Sequence, residues 1–268
     1  MGEDLSATGG EPREEGETID ALLGGRLRII QKKSGYRFSI DALLLAHFVA
    51  LKEGEECLEL GTGSGVVALI LALRCRCKRV RGIDIQEELV SMARRSAEMN
   101  DLAGMIEIQR GDVRHPESIC GPRSFDAVVF NPPYRRLRSG RMNPDPAKAI
   151  ARHEVAGKLG DFLAAAAHAL KEGGRVYAIY PAKRMVELIV RMRGNRIEPK
   201  RLRIVHSRPG GRGEFLLVEG VNGGREELIL LPPLFIYGEG SAYSSEMTAI
   251  FRDLSSFPAR GGGRSPVP

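Results

Sequence analysis

The sequence has no apolar run near the ~18 residues a membrane span requires, and no internal repeat. Its acidic beginning is not the basic-then-apolar pattern of an export signal, so a soluble, cytoplasmic protein is expected. Four cysteines (Cys57, Cys75, Cys77, Cys120) are too few to staple 268 residues. Cys75-x-Cys77 lacks a second pair at zinc spacing, so buried or reduced thiols and no metal are expected. The G-x-G-x-x-G dinucleotide fingerprint is also missing: after Gly61 and Gly63, position 66 is Val.

With 43% hydrophobic and 28% charged residues, the chain has ordinary globular composition. At this length it buries roughly 75% of its unfolded surface, as one large domain with at most a small appendage. Net charge is +6, unevenly spread: seven acids against one base leave residues 1–20 at −6 and the rest at +12. That surplus suits a polyanionic partner. Residues 1–17 and 255–268 read as disordered tails, leaving one domain over 18–254, with 18–55 as an N-terminal extension.

Short apolar runs alternate with amphipathic stretches. Strands are expected at 57–60, 80–85, 106–109, 125–130, 175–180, 202–206 and 215–221. Helices are expected at 66–73, 87–100, 161–170 (closed by Glu172-Gly173-Gly174) and 182–193. The alternation indicates an α/β fold with a doubly wound, mostly parallel sheet, and the last two strands an antiparallel edge hairpin. In such sheets ligands sit beyond the carboxyl ends of the strands.

Four expected strand ends carry chemistry. Glu59-Leu-Gly61-Thr62-Gly63-Ser-Gly65 follows the first, where glycines permit a tight turn and bare backbone beside a helix N-terminus. Asp84-Ile85, 23 positions after Gly61, offers a carboxylate to a ribose diol, although an acid after a strand also serves as a helix cap. Asp112-Val113 follows the third. The fourth ends in Asn131-Pro132-Pro133-Tyr134. There an amide oxygen and a proline carbonyl can each accept one N–H of a planar amine. Tyr134 offers a face for base stacking. Chemistry at such an amine needs placement and no metal.

Over residues 56–180 this order resembles the class I S-adenosylmethionine-dependent methyltransferases, and its Asn-Pro-Pro-Tyr motif those acting on planar amino nitrogens. That motif serves adenine in nucleic acid and the glutamine amide of release factors. Residues 18–55 are too few for the N-terminal helical domain usual in the glutamine enzymes, and a separate DNA-recognition domain does not fit either. Three further segments, Tyr36–His47, Ser139–Pro144 with Ala149–Glu154, and Pro232–Tyr237 with Ala242–Ser244, resemble the bacterial tRNA (adenine-N6)-methyltransferases that modify position 37, beside the anticodon, of a valine tRNA.

The resemblance implies S-adenosyl-L-methionine as cofactor and a tRNA anticodon loop as partner. Phe38, Ser39 and Asp41 would cover the cofactor's methionine end. Glu59, Gly61, Thr62, Gly63, Gly65, Asp84, Ile85, Asp112, Val113 and Asn131 would line the rest. Arg135, Arg136, Arg138, Arg141 and Arg152 are the candidate RNA contacts, because they crowd the segment after the catalytic motif. A second cluster (Arg193, Arg196, Lys200, Arg201, Arg203) could extend that track, or be ordinary surface charge.

Overall fold

The computed structural model describes residues 14–33, 39–133 and 157–256. A hairpin of β1 (Glu17–Leu22) and β2 (Leu27–Lys32) comes first, followed by α1 (Ile40–Phe48). Next are β3 (Glu56–Leu60), α2 (Val66–Arg74), β4 (Arg79–Asp84), α3 (Glu87–Met99), β5 (Ile106–Arg110), α4 (Pro116–Ile119) and β6 (Phe125–Phe130). After residue 157 come α5 (Leu159–Ala169), β7 (Leu170–Pro181), a 3-10 turn (Ala182–Arg184), α6 (Met185–Gly194), β8 (Ile197–His206) and β9 (Gly213–Asn222). Two-residue strands β10 (Ile229–Leu230) and β11 (Leu234–Phe235) precede α7 (Ser245–Ser255).

The main sheet has the order β10-β8-β9-β7-β6-β3-β4-β5, with β11 also on β8. Strands β3 to β7 are parallel, and β9 runs antiparallel between β7 and β8. The chain winds outward from β3 to β5, then returns to lay β6 on the other flank of β3. The crevice at this reversal is where an open α/β sheet binds its ligand, and here it lies between the Gly loop and Asn131.

Cores lie on both faces of the sheet. In β6, Ala127 and Val129 join the core under α1, α2, α3 and α7, while Val128 and Phe130 join the one under α4, α5 and α6. Successive side chains alternate between faces, so a strand buried on both sides must be apolar throughout. The run Ala127-Val-Val-Phe130 meets that demand.

Several boundaries differ from expectation. Glu17 is not tail: it opens β1, is buried, and pairs with Arg95 at 2.6 Å. Glu172-Gly173-Gly174 does not close a helix. Helix α5 ends at Ala169 and β7 begins at Leu170. Gly173 (φ +73°) accompanies an irregularity where the β6–β7 register shifts between Phe125 and Ala127, a bulge that glycine accommodates without strain. The expected helix from 182 opens as the 3-10 turn, and β8 starts five residues early. Ser255 belongs to α7, and residues 257–268 lie outside the described residues.

Candidate active site

The Gly loop follows β3 directly. Gly61, Gly63 and Gly65 all have positive φ (+70°, +57°, +85°), the left-handed region that side chains disfavour. Space is tight as well: a Cβ on Gly61 would stand 3.1 Å from Phe162, and one on Gly65 would stand 3.0 Å from Ala93. Glu59 ties this loop to α2, its Oε2 accepting from the Thr62 hydroxyl at 2.6 Å and the Ala68 N–H at 2.9 Å. Complete burial pushes its carboxyl up to about 8, against the pull of these donors.

Asp84 ends β4 and reaches back to the loop. Its Oδ2 accepts the Gly63 N–H and its Oδ1 the Gln86 N–H, each at 2.9 Å. Burial raises its pKa, and these backbone donors oppose the rise. A carboxylate has about four acceptor positions, so each oxygen retains capacity for a hydroxyl donor. Ile85 beside it is half-buried, and Val113 is buried. Asp112 is engaged: its neighbour Arg114 donates Nε at 2.9 Å and Nη2 at 2.6 Å, and this guanidinium lowers the carboxyl's pKa.

The catalytic strand end holds a specific arrangement. Asn131 Nδ2 donates to Asp41 Oδ2 at 3.1 Å. Asp41 is buried in the first turn of α1, with Oδ1 taken by the Ser39 hydroxyl and the Ala42 N–H. A carboxylate only accepts, so Asp41 fixes which end of the amide faces it and turns Asn131 Oδ1 the other way. That Oδ1 is buried and has no hydrogen-bond partner among the described residues. An Asn oxygen commonly turns onto the N–H two residues on, but Pro132 and Pro133 have none. An orphaned buried acceptor costs about 1–3 kcal/mol. Of the two prolines, Pro132 is buried and Pro133 exposed.

Residues 39–193 match the family model of the methyltransferase small domain. The chain belongs to this family. Among similar proteins is one from Porphyromonas gingivalis named tRNA1(Val) (adenine(37)-N6)-methyltransferase. It is 34% identical over 167 residues, 62% of this chain and 65% of that relative, just under two thirds of its length. A protein of the same name from another strain is 31% identical over 200 residues, covering 72% of this chain and 78% of the relative. A crystal structure from Agrobacterium tumefaciens, described as an O-methyltransferase by prediction, superposes with a TM-score of 0.65. It is 26% identical and covers 82% of this chain and 99% of its own.

In this member of the family, Glu59, Gly61, Thr62, Gly63, Gly65 and Asp84 thus form one connected loop, and Ser39, Asp41 and Asn131 form a second group. Phe38, Tyr134, Arg135, Arg136, Arg138, Arg141 and Arg152 lie outside the described residues. Of the 193–203 cluster, most charges are committed internally. Arg193 pairs with Glu198 at 3.0 Å and Glu226 at 3.3 Å, Arg201 with Glu219 at 2.9 Å, and Arg203 with Glu246 at 2.5 Å. Lys200 donates to the carbonyls of Arg225 and Glu226.

Burial pushes the Cys57 thiol well up, as expected for an inert core cysteine. Among the described residues, no group of three or more His, Cys, Asp or Glu side chains is placed for a metal, and no helix is long and apolar enough to cross a membrane. The β1–β2 hairpin was not anticipated as a unit. It docks on α3 through Glu17–Arg95, Ile30 N–H to Ser96 Oγ at 3.0 Å, and Arg28 N–H to Asn100 Oδ1 at 2.9 Å. The signal available was apolar alternation on either side of Gly24-Gly25.

Proposed function

We propose that this chain transfers the methyl group of S-adenosyl-L-methionine to the exocyclic N6 amine of an adenine in tRNA, at position 37 in the anticodon loop, as the names of its Porphyromonas gingivalis relatives suggest. The observation that carries the reading is the orphaned Asn131 Oδ1. A buried acceptor held in one orientation is matched by a hydrogen-bond donor, and an amine or amide –NH2 supplies one. The carboxyl-end crevice fits the cofactor too. Gly61 and Gly63 keep side chains out of it, and Asp84 has acceptor capacity for a ribose diol.

When bound, the cofactor supplies an electrophilic methyl group. The chain's part is to make a poor nucleophile react. The lone pair of an adenine amine is delocalised into the ring. Asn131 Oδ1 takes one N–H and the Pro132 carbonyl is assigned the other, which draws the nitrogen toward tetrahedral geometry. Positive charge growing on that nitrogen then meets dipoles already in place, and Asp41 behind the amide strengthens the one from Asn131. After transfer the nitrogen sheds a proton to water. The folded unit, from Glu17 to Ser255, is assigned to the cytoplasm, where tRNA is.

Labelled cofactor offered separately to total tRNA and to release factors tests this reading. Label in N6-methyladenosine supports it. Label confined to a release-factor glutamine would replace it with amide methylation.

A further inference from the structure

Strand order dictates the side from which a large substrate arrives. The Gly loop and Asp84 follow β3 and β4, on one flank of Asn131, whereas β7, β9 and β8 continue the sheet on the other. A nucleic acid whose adenine reaches Asn131 therefore lays its flanking chain over the ends of those three strands. Neighbouring strands are about 4.8 Å apart, which puts the β8–β9 turn about 10–14 Å across the edge from β6. Because β8 runs parallel to β7 and β9 against both, that turn projects from the same edge as Asn131.

The edge is basic in a way the 193–203 cluster is not. Residues 208–212 of the turn (Arg-Pro-Gly-Gly-Arg) are exposed, as is Lys183 after β7. Lys183 and Arg212 make no side-chain hydrogen bond or ion pair among the described residues. Arg208 is held open to solvent: its guanidinium lies 5.5 Å from the Tyr237 ring centroid and donates to the Gly240 carbonyl. Tyr237 stacks on Tyr243 at 5.4 Å and 12°, and Tyr243 meets Phe251 of α7 edge-on at 4.9 Å. A guanidinium braced by an aromatic ladder has less freedom to lose on binding.

Among the described residues, the acids closest in the chain to Lys183, Arg212 and Gly240 are Glu187, Glu214 and Glu239. Glu187 is neutralised by Arg184 at 2.7 Å, and the other two are exposed. By contrast, Arg193, Arg196, Lys200 and Arg201 lie toward the opposite end of β8, and all but Arg196 are engaged within the molecule.

We propose that the β8–β9 turn, with Arg208 and Arg212 as phosphate contacts and Lys183 beside them, holds the RNA chain flanking the target adenine. The proposal rests on the functional reading above and adds the surface that delivers the substrate.

The test measures tRNA binding to the full chain across a salt series, with cofactor affinity and thermal melting as controls. R208A/R212A is expected to lose about tenfold or more in tRNA affinity and to flatten the salt dependence by roughly 0.7–0.9 per phosphate contact removed, with unchanged cofactor affinity. R212A alone, which touches no side-chain contact of the fold, is expected to give about half the change in slope. R193A/R196A at the opposite end is expected to bind as the unsubstituted protein does. An unchanged slope in R208A/R212A and R212A, with tRNA still methylated, would overturn this proposal alone. Failure of the unsubstituted protein to bind or methylate tRNA would overturn the functional reading as well.

Discussion

Asp41 and Asn131, ninety positions apart in the chain, meet at 3.1 Å, and the carboxylate of the first sets the polarity of the amide of the second. The two prolines that follow Asn131 deny its oxygen a local partner, so the arrangement holds one acceptor ready at the switch point of the sheet. Replacing Asp41 by Asn removes the charge and lets the Asn131 amide turn either way. Turnover of D41N is expected to fall by about one to two orders of magnitude, roughly 1.4 kcal/mol per tenfold, with the KM for tRNA little changed. Steady-state kinetics on tRNA decides it, and a change confined to KM would contradict the positioning role.

Removing Asn131 itself is more severe. N131A is expected to lose nearly all turnover while still binding cofactor, because Asp84 and the Gly loop are supported independently of it. Turnover in N131A comparable to the unsubstituted enzyme would mean that the amide acceptor is idle.

Asp84 has the complementary role. In D84A both the acceptor for a ribose diol and the brace on the Gly63 N–H disappear. Hydrogen bonds to a charged group contribute about 1.5–3 kcal/mol each, so calorimetry should show cofactor affinity down by at least tenfold.

Glu59 gives stability a pH signature. Its folded-state pKa is raised to about 8 from an ordinary 4.5, so the folded protein holds a proton that the unfolded chain has released. Its contribution is fully present below about pH 4.5 and is lost as pH climbs toward 8. E59Q keeps an acceptor for Thr62 and Ala68 but cannot ionise. The melting temperature of the unsubstituted protein should therefore fall more than that of E59Q between about pH 5 and pH 8. Asp84, raised by burial, is present in both proteins, and its charge adds to the rise at Glu59 only in the unsubstituted one. Parallel curves would contradict an ionising Glu59.

The hairpin at the N-terminus depends on a long-range ion pair. E17Q leaves the Arg95 guanidinium, which is mostly buried, without its anionic partner at Glu17. A loss of about 1–3 kcal/mol in urea unfolding is expected; no loss would make the hairpin's docking independent of that pair.

What could be read from sequence was what local physics dictates. Ala127-Val-Val-Phe130 must be a strand buried on both faces, and Gly61-x-Gly63-x-Gly65 needs the positive φ it has. Asp84 could be placed because it ends a strand at a fixed distance from that loop. Partnerships between distant segments could not be read. Nothing near Arg193, Arg201 or Arg203 announces Glu226, Glu219 or Glu246, so the acidic partners of these surface charges could not be read. Gly173-Gly174 looked like a helix stop because glycine serves bulges and helix ends alike, and only pairing with β6 distinguishes them. Asp41 is legible as a cofactor residue only through the family resemblance, and its contact with Asn131 exists only in three dimensions.

The most direct test of the central claim is nucleoside mass spectrometry on tRNA incubated with the purified protein and S-adenosyl-L-methionine, after digestion into mapped fragments. The account predicts N6-methyladenosine in the anticodon-loop fragment, formed by the unsubstituted protein and not by N131A. Absence of that nucleoside, or its equal formation by N131A, would contradict it.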